Sequence, residues 1–158
     1  MKNFKIAFCL FSILVLYTNC SKDCKLKPVS KEEPQITAFA AANNYDVVKH
    51  TSGIYYQILD AGSGVKPTVN SRISITYKGT FLDGQTFDEQ TTPNNTVDKP
   101  AWALSGLIEG WKIGIPLIGE GGRIRLIVPS SLAYGCEDYY GIPGNSVLFF
   151  DVTLVQVF

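Results

Sequence analysis

Three groups of side chains in this sequence are of types that could do chemistry together. Tyr77 stands close before Phe87 and Asp88, Leu107 and Ile108 precede Trp111, and Tyr134 is followed by Ile142 and Phe150. Each group alone reads as core packing, because burial is the commonest fate of an aromatic on a strand face. Together they could enclose an apolar, aromatic pocket whose rim is made of loops. A single carboxylate, Asp88, accompanies them, with no second carboxylate or histidine in these motifs. Glycosidase-type acid catalysis uses a pair of carboxyl groups, so Asp88 is read as a hydrogen-bonding carboxylate partnered by Tyr77. His50 is the sole histidine and no CxxC pair occurs. A zinc site or a catalytic triad is therefore not expected, and neither is a metal or a cofactor.

These side chains need a frame. Leu107 to Ile115 is short and glycine-rich for a helix, yet carries one of the two tryptophans in the chain. Strand-like segments flank it, so Ile108, Trp111 and Ile115 are expected to pack this short helix onto one sheet. Arg72 to Tyr77 alternates, with Ile73, Ile75 and Tyr77 on one face, the pattern of a half-buried antiparallel strand. Asp83-Gly84 marks a tight turn, and Thr86-Phe87-Asp88 returns as a short strand. Arg123 to Val128 and the last strand, with Leu148, Phe150, Val152 and Leu154 on one side, complete the set, and Gly53 to Leu59 reads as an outer strand. Glu89 to Pro100 reads as a polar bulge or flap, and Gly135 to Gly144 as a long loop. The fold class is α+β, an antiparallel sheet with one short helix packed on it.

At 158 residues the chain holds one ordinary domain and additional N-terminal sequence. Lysine plus arginine and aspartate plus glutamate each number 14, a balance that gives no support to nucleic acid as a partner. Residues 1–19 read as a signal peptide: Lys2 and Lys5 open it, Ile6 to Tyr17 is apolar, and Cys20 follows. The apolar run is short for a spanning helix, which needs roughly 20 residues, and suits a signal core. Cys20 at the boundary looks like the lipid acceptor of a bacterial lipoprotein. Asn19 departs from the small residue usual before that cysteine, so ordinary secretion or an uncleaved anchor stay open. Residues 20–33 read as a flexible tether and 34–50 as an N-terminal helical extension, with a helix from Pro34 that stops at Asn43-Asn44. Cys24 and Cys136 remain; in an oxidising compartment they could pair, although spacing alone does not fix their geometry.

From residue 51 to residue 158 the motifs, in order, resemble the FK506-binding family of peptidyl-prolyl isomerases. The resemblance rests on Ile75-Thr76-Tyr77-Lys78-Gly79, Asp83-Gly84-Gln85-Thr86-Phe87-Asp88, Leu107-Ile108-Glu109-Gly110-Trp111, Leu132-Ala133-Tyr134-Gly135 and Leu148-Phe149-Phe150-Asp151-Val152. It implies a twisted antiparallel β-sheet wrapped around one short α-helix, and an enzyme that speeds rotation of X–Pro bonds. It implies Trp111 as the pocket floor, Tyr77, Phe87 and Phe150 as aromatic walls, and Leu107 and Ile108 at the helix start. Asp88 would accept a hydrogen bond, the Tyr134 hydroxyl and the Ile108 N–H would donate, and Ile142 would take an apolar position before the last strand. Trp102 corresponds only approximately, because the stretch from Pro100 to Leu107 is short for the family. The loop from Cys136 to Gly141 also departs, with Tyr139 and Tyr140 near the rim. The implied partners are proline-containing client polypeptides and an FK506-type macrolide. With a lipid anchor the implied location is the cell envelope of a Gram-negative bacterium, periplasmic or outer-membrane. A noncatalytic binding module or chaperone with the same pocket is the alternative.

Overall fold

The computed structural model describes residues 24–158. Seven antiparallel strands form one sheet: β1 (Val48–Lys49), β2 (Tyr55–Asp60), β3 (Arg72–Phe81), β4 (Thr86–Gln90), β5 (Trp102–Ala103), β6 (Arg123–Val128) and β7 (Leu148–Val157). Their order is β1-β2-β6-β7-β3-β4, with β5 pairing β3. The strand formed last in sequence therefore lies between β6 and β3.

One face of this sheet holds the short helix α2 (Glu109–Gly114). Leu126, Val128, Phe150, Val152 and Leu154 from the strands meet Trp111 and Ile115 there in one buried cluster. The glycines of α2, which cost helix propensity, permit the approach: a Cβ at Gly110 would collide with Val128, and one at Gly114 with Leu126. The expected alternation on β3 and β7 thus describes the face that α2 covers.

The opposite face is covered as well, by α1 (Val29–Ala42). Ile36 and Ala40 of α1 pack with Tyr55, Ile127, Val147 and Phe149 in a second cluster. This corrects the expected boundaries at the N-terminus. The helix begins at Val29, before the expected start at Pro34, so residues 29–33 are helical and not part of a tether. The fixed φ of Pro28 ends the extended chain at the cap, and a bond from Lys31 N–H to the Pro28 carbonyl closes the first turn at 2.9 Å. Pro34 lies inside the helix; burial of Glu32, Ile36 and Ala40 along one face outweighs its lost hydrogen bond. The helix stops where expected, with Asn43 Nδ2 donating to the Phe39 carbonyl at 2.9 Å and Asn44 at φ 53°.

The excursion after β4 is anchored by one residue. Asn94 is 1% exposed; its Oδ1 accepts from Ile75 N–H at 2.8 Å and its Nδ2 donates to the Ile73 carbonyl at 3.3 Å. It fills the part of the β3 edge that neither β4 nor β5 pairs, where open backbone groups would otherwise need partners. The expected signal peptide and the lipidation site Cys20 lie outside the described residues. Among the described residues no helix is long and apolar enough to cross a membrane.

Candidate functional site

A cavity of about 520 Å³ opens where the start of α2 meets β3, β4 and β7. Trp111, 4% exposed, stands at its base. Tyr77 of β3 and Phe150 of β7 meet the indole edge to face, each with ring centroids 5.1 Å from it. Phe87 of β4 continues the wall, 5.6 Å from Phe150 and perpendicular to it. Such T-shaped contacts place positive ring edges on negative faces and fix the rings relative to one another. Gly79 makes the wall compact, because a Cβ there would lie 2.7 Å from the Phe87 ring and 3.1 Å from the Phe150 ring. Trp102 of β5 closes the near side, 6.0 Å from Tyr77, and Leu107 and Ile108 line the helix end.

The polar groups are few. The Tyr77 hydroxyl donates to Asp88 Oδ2, the pairing expected from the sequence. Burial, then the hydrogen bond and the charge of Asp88, raise the Tyr77 pKa above the ordinary phenol range. The Tyr134 pKa is raised too, first by burial and then by Tyr139 and Asp88. Both phenols therefore keep their protons at neutral pH. Among the described residues the Tyr134 hydroxyl has no hydrogen-bond partner, and the Ile108 N–H, one residue before α2, has no backbone acceptor. Trp111 Nε1, fully buried, also lacks an acceptor. The cavity thus combines apolar aromatic walls with donors not consumed by the fold. The described residues hold no cluster of metal-ligating side chains.

Nine of the expected binding and catalytic positions line this one cavity: Tyr77, Phe87, Asp88, Trp102, Leu107, Ile108, Trp111, Tyr134 and Phe150. Ile142 does not. Its backbone pairs with Tyr139 and its side chain, 6% exposed, lies in the core cluster behind the wall. Residues not assigned in advance join the lining, notably Arg72, Pro100, Ala101 and Tyr139. Arg72 carries its guanidinium to the Ala101 carbonyl, a contact that strand alternation does not announce. Tyr139 stacks on Tyr134 with centroids 4.5 Å apart and planes 13° from parallel.

The loop that supplies Tyr134 and Tyr139 is fastened from the N-terminus. Glu32, 0% exposed, accepts from Ser130 N–H at 2.9 Å and from the Ser130 hydroxyl at 2.7 Å. Cys24 and Cys136 form a disulfide, settling the pairing that the sequence left open, and Lys27 N–H donates to Asn145 Oδ1 at 3.2 Å.

The chain thus combines an antiparallel sheet packed over a short helix with an aromatic cavity at the helix start. Residues 63–155 match the family described as FKBP-type peptidyl-prolyl cis-trans isomerase, and the chain belongs to that family. It is 39% identical over 116 residues to the FKBP-type peptidyl-prolyl cis-trans isomerase FkpA of Escherichia coli K12, a match that covers 73% of this chain and 42% of that one. The crystal structure of FkpA from Escherichia coli superposes with a TM-score of 0.68 at 35% identity, covering 81% of this chain and 59% of that one. A 1.6 Å crystal structure of a peptidyl-prolyl cis-trans isomerase from Pseudomonas syringae gives 0.67 at 29% identity, over 84% and 98%. The chain spans less than half the length of the curated relatives it matches.

Proposed function

We propose that this protein is a peptidyl-prolyl cis-trans isomerase that binds exposed X–Pro segments of exported polypeptides and speeds rotation about the imide bond. Family membership supports the reaction class. The single observation that carries the reading is an aromatic cavity in which Trp111, Tyr77, Phe87 and Phe150 surround space large enough for a prolyl ring, with unspent donors close by.

The chemistry follows from the amide. Rotation is opposed by roughly 18–20 kcal/mol because planarity preserves C–N double-bond character, whereas cis and trans X–Pro forms differ by only about 0.5–1 kcal/mol. Speed is the obstacle, not equilibrium. The planar amide is charge-separated and well solvated; the twisted amide is less polar. An apolar aromatic pocket penalises the first relative to the second, and only such differential stabilisation accelerates the step. Each 1.4 kcal/mol gained in the twisted state is worth about tenfold in rate. In this reading Trp111 is the floor, Tyr77, Phe87 and Phe150 are the walls, and Trp102, Leu107 and Ile108 are binding contacts. The Ile108 N–H and Tyr134 hydroxyl hold carbonyls of the client, and Asp88 orients Tyr77. No proton transfer or covalent intermediate is needed. The same pocket would accept an FK506-type macrolide, and the domain would run from 51 to 158.

The test is isomerisation of a proline peptide by the full chain, with and without that macrolide. Acceleration that the macrolide inhibits is expected. Folded protein that binds the macrolide without accelerating rotation would instead support the noncatalytic binding module. For location we propose an envelope lipoprotein anchored at Cys20. The mature N-terminus and a lipid mass on that cysteine, measured by mass spectrometry, test it; an unmodified Cys20 in the mature chain overturns it.

A further inference from the structure

Beyond the cavity the aromatic surface continues outward. Tyr139 stacks on Tyr134, and Tyr140 meets Tyr139 edge to face with centroids 4.8 Å apart and planes at 76°. Tyr134 and Tyr139 line the cavity, while Tyr140 is 94% exposed. Its ring stabilises little by burial, and yet its backbone is costly. Tyr139 and Ile142 exchange both N–H···O bonds at 2.8 Å, closing a turn on Tyr140 and Gly141 with φ of 42° and 87°. Positive φ at both central residues is the mark of a type I′ turn, in which Asn, Asp or Gly is preferred at the first. A bulky tyrosine there is disfavoured by clash of its Cβ with the backbone.

The turn is also held in place by its surroundings. Asp138 Oδ1 accepts from Gly144 N–H at 2.8 Å, Asn145 N–H donates to the Gly135 carbonyl at 2.7 Å, and Cys136 is tied to Cys24. A rigid loop that carries an exposed aromatic ring on an unfavourable backbone, continuous with the binding cavity, is a local rule broken where a ligand would meet it. We propose that Tyr139 and Tyr140 form an outer subsite that takes an aromatic side chain of the client polypeptide, a short distance along the chain from its proline. A client ring would extend the series of offset and edge-to-face contacts begun by Tyr134 and Tyr139, at the usual centroid spacing of about 4.5–7 Å. An extended chain advances about 3.3–3.6 Å per residue, so the position of the ring relative to the proline is read out by moving it residue by residue. The subsite rests on the isomerase reading for its orientation, since the proline is placed over Trp111.

The experiment uses the full chain and peptides with an Ala-Pro-Ala core, in which phenylalanine is moved in turn through the flanking positions on either side. Dissociation constants come from calorimetry and kcat/KM from isomerisation. In the wild type, phenylalanine at one flanking position is expected to tighten binding about threefold to tenfold over alanine. Tyr140→Asn suits the turn, so the melting temperature should hold or rise, while the phenylalanine-to-alanine ratio falls to near one. Tyr140→Trp should restore the ratio. A ratio unchanged in Tyr140→Asn overturns the subsite, as does a drop in its melting temperature of several degrees, which would make the ring structural. Arginine binding better than phenylalanine at the same position overturns the aromatic assignment. If the core peptide is accelerated but no phenylalanine position gains, the subsite falls and the isomerase reading stands; a core peptide bound but not accelerated, with the phenylalanine gain present, does the reverse.

Discussion

The Tyr77 hydroxyl donates to Asp88, the one carboxylate that lines the cavity. If Asp88 only orients Tyr77, Asp88→Asn keeps an acceptor oxygen and should lower kcat/KM by less than about tenfold. Complete loss of turnover in a folded Asp88→Asn protein would make Asp88 a participant in the reaction. The raised pKa of Tyr77 has a consequence for stability. A phenol whose folded pKa exceeds its unfolded value of about 10 contributes stability that is fully present below pH 10 and lost as the pH climbs toward the folded pKa. Denaturant midpoints should therefore fall above about pH 10, and the fall should be shallower in Tyr77→Phe. An identical alkaline slope in both proteins would show that Tyr77 keeps an ordinary pKa. Trp111 differs again: it stands at the base of the cavity and is a core residue at once, packed with Ile115, Leu126 and Val128 in one cluster.

Among the elements, α1 links the N-terminus to the turn that leads into Tyr134. Glu32→Ala would leave the Ser130 N–H without its acceptor in a buried position, a cost of about 1–3 kcal/mol. The melting temperature should fall, and affinity for proline peptides should fall with it, because the turn after β6 leads directly into Tyr134. Ile36→Val, on the same helix but packed against the sheet, should lower the melting temperature while leaving affinity in place. Equal loss of affinity in both variants would mean that Glu32 acts through stability alone. These links mark the limit of what the sequence discloses. The alternation of Ile73, Ile75 and Tyr77, and of Leu148, Phe150, Val152 and Leu154, made the α2 side of the sheet legible, since a period of two assigns residues to faces. The motifs around Tyr77, Trp111 and Tyr134 likewise made most of the cavity legible. The start of α1 was not, because Pro34 is a local signal and the docking of Ile36 and Ala40 is a tertiary one. Glu32 and Ser130 lie 98 positions apart, and Asn94 serves β3 from within a polar excursion; neither pairing leaves a trace in period or propensity. Ile142 is apolar and lies in the loop before the last strand as expected, but its side chain packs in the core and not along the cavity.

At the scale of the whole molecule, the disulfide joins positions 112 residues apart. Closing a loop of about 100 residues removes denatured-state entropy worth about 4.7 kcal/mol in the chain-entropy treatment. Reductant should lower the melting temperature on the order of 10 °C for a domain of this size, and the double variant Cys24→Ser, Cys136→Ser should be insensitive to reductant. A wild-type melting temperature that reductant does not move would place the stabilisation elsewhere. The position of β7 has a further consequence, for the order in which the protein is made. Since β7 separates β6 from β3, a nascent chain short of Leu148 holds two strand groups, β1-β2-β6 and β3-β4-β5, with nothing to join them into one sheet. Both buried clusters also lack Leu148 or Phe149 until then. Synthesis from the N-terminus thus leaves the sheet in two parts until β7 emerges, which makes completion of the fold an event that follows synthesis of that strand.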